Sequence, residues 1–456
     1  MSEPRTGVLC ASGSLGLTPM HPESYWAAVE DAPDAIVADA GSGDIGASYL
    51  GSGARYNPVE WELHDLRLML TAARRLGVPM LVGSVGGAGT NGSVDRYVEM
   101  VKQIAAEEGL SGFSLVSIYA EIEVDELARL AAAGGVPPLG AAGPLEEADA
   151  RRCDRVVAMM GVEPLLAALD KGADVIIAGR CCDDALFAAV PMHRGHDRAL
   201  SLHMGKTIEC GPLVATPVIM REAIAGVMRE EDFLVVPYHE GQRCTPASVA
   251  GHTLYERLDP HRLPVPGGVV DLTAAAFEAH TDTVCRVSGA RWEPADPYAV
   301  KLEGSAFVGH RALFLFGLRD PLSIANVDRM CDGIAVEIAK HFGEAGDGRY
   351  HLNFHVYGRD AIMGEREPLK QIDAHEIAVV VDVVAPDPGD AQSIAKMAKY
   401  ASLRVHYPGK LGTAGGCAML ADEVLMPSMP VYEWVLDHLL PLDDPLAPFT
   451  IQLETV

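Results

Sequence analysis

Residues 79–109 read PMLVGSVGGAGTNGSVDRYVEMVKQIAAEEG: a short apolar run, a loop crowded with small residues, then a helix. Val94, Tyr97, Val98, Val101, Ile104 and Ala105 recur at helical spacing and give that helix one apolar face. A strand, a glycine-rich loop and a helix N-terminus in that order can hold an anion. Glycines allow close backbone approach, and the first N–H groups of a helix have no partner within it. Gly86, Gly87, Gly89 and Gly92, with Ser84, Thr90 and Asn91, would line such a site. Residues 87–92 read as G-x-G-x-x-G, but no lysine follows, so this is not the nucleotide-triphosphate loop. The acidic residue that a dinucleotide fold places about 20 residues further on has only an approximate counterpart in Glu121. A tight turn with no ligand fits the same residues.

The strand-then-helix pattern recurs through the first half. Apolar runs at 7–10, 35–37, 80–82, 113–118 and 174–178 alternate with helical stretches at 59–76, 93–109, 125–133 and 185–190. A further helical stretch is expected over 146–169, broken near Gly161. Such alternation predicts a Rossmann-like α/β fold, its sheet mostly parallel with helices on both faces. The second half differs: β-rich runs at 284–287, 299–304, 312–316, 351–357 and 376–384 and helices at 323–342 and 390–401 suggest a smaller α+β domain with an antiparallel sheet. The expected division is an α/β domain over 1–225, an irregular connection over 226–283, and the α+β domain over 284–456. The Pro- and Gly-containing tail is expected to return across the surface.

In parallel sheets ligands bind at the carboxyl ends of strands, and that is where the reactive residues gather. Asp39, Ser42 and Asp44 follow the 35–37 run, the glycine loop follows 80–82, Glu121 follows 113–118, and Arg180, Cys181, Asp183 and Asp184 follow 174–178. Paired carboxylates beside an arginine suit proton transfer near a bound anion, with Arg180 clamping a carboxylate. Asp39, Asp44, Glu121, Asp183, Asp184 and Lys206 are the candidate acids and bases. Ser42, Arg180, Cys181 and His252 join the glycine loop as candidate substrate contacts.

Sixty-three acidic residues against 36 basic ones give a net charge of −27, which argues against nucleic acid and anionic membranes as partners. No apolar run reaches membrane-spanning length, and the first residues, MSEPRTGVLCASG, carry no secretion signal. Nine scattered cysteines without a CxxC suit a reducing, cytoplasmic setting. His193 and His196 lack a second ligand pair, so no tight structural metal is expected. Asp39, Asp44, Asp183 and Asp184 leave a loosely bound divalent cation open. Cys181 and Cys182, beside Arg180 and ahead of a helix, form a candidate nucleophile pair, although inert buried cysteines are commoner. Lys206 and Glu209, three residues apart, fit either a site or an exposed ion pair, and Lys301 and Glu303 on one strand face fit solvent.

Several longer stretches carry a resemblance. ADAGSGD at 38–44, LGSG at 50–53, residues 83–92, GVEP at 161–164, residues 172–183, HMGK at 203–206 and ECG at 209–211 are similar to the acyclic terpene utilisation (AtuA-like) family. So are RCTP at 243–246, HTLYE at 252–256, PGG at 266–268, KLEG at 301–304, residues 317–321, YG at 357–358 and residues 406–413. The resemblance implies a cytosolic catabolic protein in a pathway whose intermediates are branched acyl-CoA thioesters. It assigns no catalytic residue. Some relatives carry a small additional C-terminal domain, which here would be a separate partner subunit. The resulting expectation is a lyase or hydratase acting on a small carboxylate or branched acyl-CoA by carboxylate acid/base chemistry, in a homo-oligomer. A hydrolase using cysteine or a cation, and a non-catalytic ligand-binding subunit, are the alternatives; the cofactor is left unassigned.

Overall fold

Consecutive residues of the central strands bury on opposite faces. Val8, Val37, Leu81, Ile118 and Ile176 enter one core, while Leu9, Ile36, Val82, Leu115 and Ile177 enter another. A strand apolar on both sides must be covered on both sides. The computed structural model, which describes residues 5–346, 348–419 and 425–456, achieves this with helices on each face.

The chain forms two compact units, Met1–Ala306 with Trp434–Val456, and Phe307–Glu433. The first opens with β1 (Thr6–Cys10), α1 (Pro22–Glu30), β2 (Ala35–Gly41), α2 (Ala47–Ser52), α3 (Val59–Leu76), β3 (Met80–Gly87) and α4 (Asn91–Glu108). It continues through β4 (Ser114–Tyr119), α5 (Val124–Ala132), α6 (Glu147–Arg152), β5 (Arg155–Ala158), α7 (Val162–Asp170), β6 (Val175–Ala178), α8 (Asp183–His193) and α9 (Arg198–Ile208). Next come β7 (Ile224–Met228), β8 (Asp232–Pro237), α10 (Pro246–Thr253), β9 (Arg262–Val265), β10 (Gly268–Asp271), β11 (Ala276–Ala279), β12 (Cys285–Ser288), β13 (Arg291–Pro294) and the start of β14 (Tyr298–Leu318). The second unit holds the rest of β14, α11 (Pro321–Ala325), α12 (Val327–Phe342), β15 (His351–Tyr357), β16 (Ile377–Ala385), α13 (Pro388–Arg404) and β17 (Met429–Trp434). The chain ends in the first unit with β18 (His438–Leu442) and β19 (Thr450–Thr455).

The main sheet has ten strands in the order β11-β12-β8-β7-β1-β2-β3-β6-β4-β19. The run β1-β2-β3-β6-β4 is parallel; β19 and β7 join its two edges antiparallel, and β8, β12 and β11 extend the β7 side antiparallel. From β3 the chain turns into α4, whose Val94, Tyr97 and Val101 pack in one core. From the neighbouring β6 it turns into α8, whose Leu186 and Phe187 pack in the other. Adjacent strands whose exits go to opposite faces leave a crevice at their carboxyl ends.

The local sequence explains these elements. α3 has Pro58 before it, Glu60 and Glu62 in its first turn, Arg74 and Arg75 in its last, and Gly77 in the left-handed conformation that ends it. β3 runs past the expected Val82 to Gly87, because Gly41 and Gly87 bring β2 and β3 into direct backbone contact; a Cβ on Gly41 would lie 2.1 Å from the Gly87 carbonyl oxygen. Gly89 (φ +66°) passes equally close to Arg180, where an added Cβ would lie 2.3 Å from the backbone nitrogen. Gly89→Ala should therefore destabilise by about 2–4 kcal/mol, from overpacking and the left-handed backbone, measurable as a lower denaturant midpoint; an unchanged midpoint would count against this packing role.

Four expectations change. The helical stretch over 146–169 contains β5, a four-residue strand too short to register in the pattern, which pairs with Leu302–Ser305 of β14. Residues 226–283, expected to be irregular, carry α10 and several strands, and the tail supplies β18 and β19 rather than a surface crossing. The runs at 299–304 and 312–316 are parts of one strand. The second unit has its own core, in which Phe314, Phe316, Val379 and Val381 pack with Ile334, Ile338 and Ile394. Among the described residues no helix is long and apolar enough to cross a membrane.

Candidate active site

The first unit contains a cavity of about 770 Å³, whose lining includes Ser42, Asp44, Arg180, Cys181, Asp183, Asp184, Lys206 and Glu209, together with Glu256, Arg257, Arg262, Lys301 and Glu303. It lies where β6 ends. Asp183 and Asp184 form the first turn of α8, and α9 brings Lys206 and Glu209 alongside. Gly205 permits that approach: a Cβ there would stand 2.2 Å from the Asp184 carbonyl oxygen.

Burial and charge divide the acids into distinct roles. Asp183 is pushed up from its ordinary 3.8 to about 6, by burial first and by Asp184 and Glu256, against the pull of Arg180 and Lys206. It keeps some surface on the cavity. Glu209 is raised well above the usual carboxyl range by burial and by Asp184 and Asp183, and it shares a hydrogen bond with Asp184. Two carboxyls so joined need one proton between them, and the pattern places it on Glu209. Lys206 pairs with Glu209 and lies 3.8 Å from Glu256; despite burial, Glu209 and Asp184 keep it charged. Glu256, raised by burial and by its hydrogen bond with Asp44, reaches the cavity after a turn at φ +58°.

Arg180 does not offer its fork to the cavity. Its Nε and Nη2 donate to the two carboxylate oxygens of Glu303 at 2.8 and 3.1 Å, and its Nη1 donates to Ser84 Oγ at 3.3 Å. Burial works against ionising Glu303, but Arg180 and then Lys301, 3.8 Å away, outweigh it and hold the carboxyl below its usual range. Glu303 is thus a buried partner on β14 and not part of a solvated face. Asp39 lies within the electrostatic reach of Arg180: its Oδ2 accepts the Gly41 N–H at 3.1 Å, its Oδ1 is buried without a partner among the described residues, and burial together with Asp183 raises it well above 3.8. A carboxyl raised on folding favours the folded state below its unfolded pKa and loses that advantage as pH rises. Asp39→Asn should therefore raise the melting temperature more at about pH 8 than at about pH 4; an equal or reversed difference in thermal melts would contradict this.

The glycine loop does not open onto the cavity. Ser84, Gly86, Gly87, Gly89, Thr90, Asn91 and Gly92 lie outside its lining. The N-terminus of α4 is satisfied from within: Thr90 Oγ1 accepts the Ser93 N–H, and Glu121 accepts the Asn91 N–H at 2.7 Å. Glu121 therefore occupies the position expected for a ligand anion. Ser84 serves the site from behind, accepting the Cys181 N–H at 3.2 Å as well as Arg180. His252 is buried on α10, stacked on Tyr255 at 5.7 Å, and burial aided by Lys206 lowers it to about 4, so it is neutral. It does not line the cavity.

The thiols of Cys181 and Cys182 are raised well above 9.0 by burial and the neighbouring aspartates, which keeps them protonated. His203, buried edge-on to Phe233 and Phe277, is lowered to about 3. Among the described residues no group of three or more His, Cys, Asp or Glu side chains is arranged to hold a metal ion. Glu209, one helical turn after Lys206, takes the site role that spacing left open beside an exposed ion pair; Glu303 and Arg257 depend on distant segments folding back.

Comparison with curated proteins and with solved structures returns no match. The family model described as acyclic terpene utilisation family protein AtuA matches residues 7–429, and the chain therefore belongs to that family.

Proposed function

We propose that this chain is a lyase or hydratase acting on a small carboxylate or branched acyl-CoA thioester, with a Rossmann-like run of parallel strands holding its site. The observation that carries the reading is Asp183: a carboxyl on the cavity wall, raised to about 6, between Arg180 and Lys206. Near neutrality such a group is ionised yet basic enough to take a proton from the carbon next to a carbonyl. Glu209 holds a proton and sits against Lys206. In the dehydrating direction Asp183 removes the α-proton, Glu209 protonates the departing β-hydroxyl, water leaves and the double bond forms. Lys206 stabilises the negative charge that develops. Asp44 and Glu256 border the same space. Family membership supports a role in terpene utilisation.

The raised thiols give no support to a cysteine nucleophile. Incubating the purified protein with branched, unsaturated acyl-CoA thioesters and the matching free acids tests the reading. Mass spectrometry should detect gain of one water. Hydrolysis of the thioester in its place would favour a hydrolase and sink the proposal.

A further inference from the structure

On the cavity wall one cation differs from the rest. Arg180 and Lys301 are paired with Glu303, Lys206 with Glu209 and Glu256, and Arg262 with Glu293. Arg257 has no carboxylate within ion-pair distance among the described residues. Its Nη1 donates to the Thr253 carbonyl oxygen at 3.2 Å, which fixes the guanidinium, while Nε and Nη2 are shielded from solvent and donate to no atom of the described residues. Leaving charged donors buried and unmatched is costly. The unmatched edge is also the one that Arg180 presents to Glu303, with Nε and Nη2 binding two oxygens of one group. The same protein thus displays what this edge binds when it is satisfied.

The segment carrying Arg257 has further open valences. Glu256 holds a left-handed backbone at φ +58° without being glycine. Leu254, Tyr255 and Leu258 beside it are exposed, at 50%, 44% and 107%. A segment with a shielded, unmatched cation and uncovered apolar side chains at a cavity wall has groups that a bound molecule would satisfy.

We propose that Arg257 is the substrate-recognition residue of this site, and that its Nε/Nη2 edge takes an oxyanion presenting two oxygens, from a carboxylate or a phosphate. A small movement of residues 254–259 brings the edge to the ligand and covers Leu258. Asp184 and Asp259 are the acids closest in influence. Asp184 is engaged with Glu209, and Asp259 accepts the His261 N–H at 2.8 Å, so neither satisfies the edge. The inference rests on the reading of this cavity as a substrate site.

The test is calorimetric titration of the full chain with 3-methylbutanoate, its neutral amide and coenzyme A. The unsubstituted protein should bind at least one of the two anions, and should bind the amide about tenfold more weakly than that anion or worse. Arg257→Gln should weaken the anion by about 10- to 100-fold and leave the amide little changed. Arg257→Lys, which keeps the charge but not the planar edge, should fall between them and guards against misfolding of the first variant. Binding of the carboxylate alone assigns a carboxylate source, and binding of coenzyme A alone a phosphate. Anion affinity unchanged in Arg257→Gln, or no anion bound by the unsubstituted protein, overturns the proposal. Asp183→Asn run in parallel separates the two claims. If it abolishes turnover while Arg257→Gln still binds the anion, the recognition role fails and the acid/base reading stands. If it keeps turnover while Arg257→Gln loses the anion, the reverse holds.

Discussion

Asp183→Asn is expected to lower turnover by about 10²- to 10⁴-fold, the usual contribution of a positioned general base. The substitution is nearly isosteric, and Asp183 keeps surface on the cavity, so the fold should survive it. The pH dependence adds a second, independent readout. With Asp183 at about 6, kcat/KM of the unsubstituted protein should fall as pH drops below that value, because the base becomes protonated. The asparagine variant should lose this acid limb. A variant that is slow but keeps the limb would mean that another group is the base.

Glu303→Ala should be the most damaging single change to stability in the site. Arg180 and Glu303 are both nearly buried, with side chains 7% and 8% exposed. Removing one member of such a pair leaves an unmatched charge in the interior, which costs about 3–5 kcal/mol. Asp39 and Asp183 also act on Arg180 and offset part of this. At about 2.1 cal/mol/K of unfolding entropy per residue, a loss in melting temperature of roughly 3–5 °C is expected for a chain of 456 residues. The pH sign is opposite to that of Asp39. Glu303 is held below its ordinary 4.5, so its contribution is fully present above that value and is lost as pH falls. The variant should therefore approach the unsubstituted protein in stability under acid conditions. It should also move the acid limb of activity to lower pH, since an uncompensated Arg180 favours the ionised form of Asp183. Unchanged melting would mean that the ion pair is not the structural link described.

Much of this was legible in the residues, and the failures have physical causes. Helix α3 could be bounded from Pro58 and Gly77, and β15 from its own residues, because local chemistry marks both ends. The gathering of Asp44, Arg180, Asp183 and Asp184 followed from parallel topology, which sends every such loop to one sheet edge. The glycine loop misled because an anion site and a backbone contact call for the same residue type. Here Gly89 makes room for the Arg180 backbone, and Glu121 fills the place of the anion. Arg180 misled for a related reason: its partner, Glu303, lies on β14, over a hundred residues away in sequence, and no local pattern reports that return. β5 and the strands between 224 and 288 are only four to six residues long, and they exist through pairing and not through periodicity.

The central claim is that Asp183 moves a proton on the carbon beside a carbonyl. Solvent exchange measures that step without needing net turnover. A saturated branched acyl-CoA or its free acid is incubated with the protein in deuterated water, and deuterium at the α-carbon is followed by proton NMR. The unsubstituted protein should exchange that position faster above about pH 6 than below it, and Asp183→Asn should exchange it at the uncatalysed rate. Exchange at full rate in the variant would contradict the account.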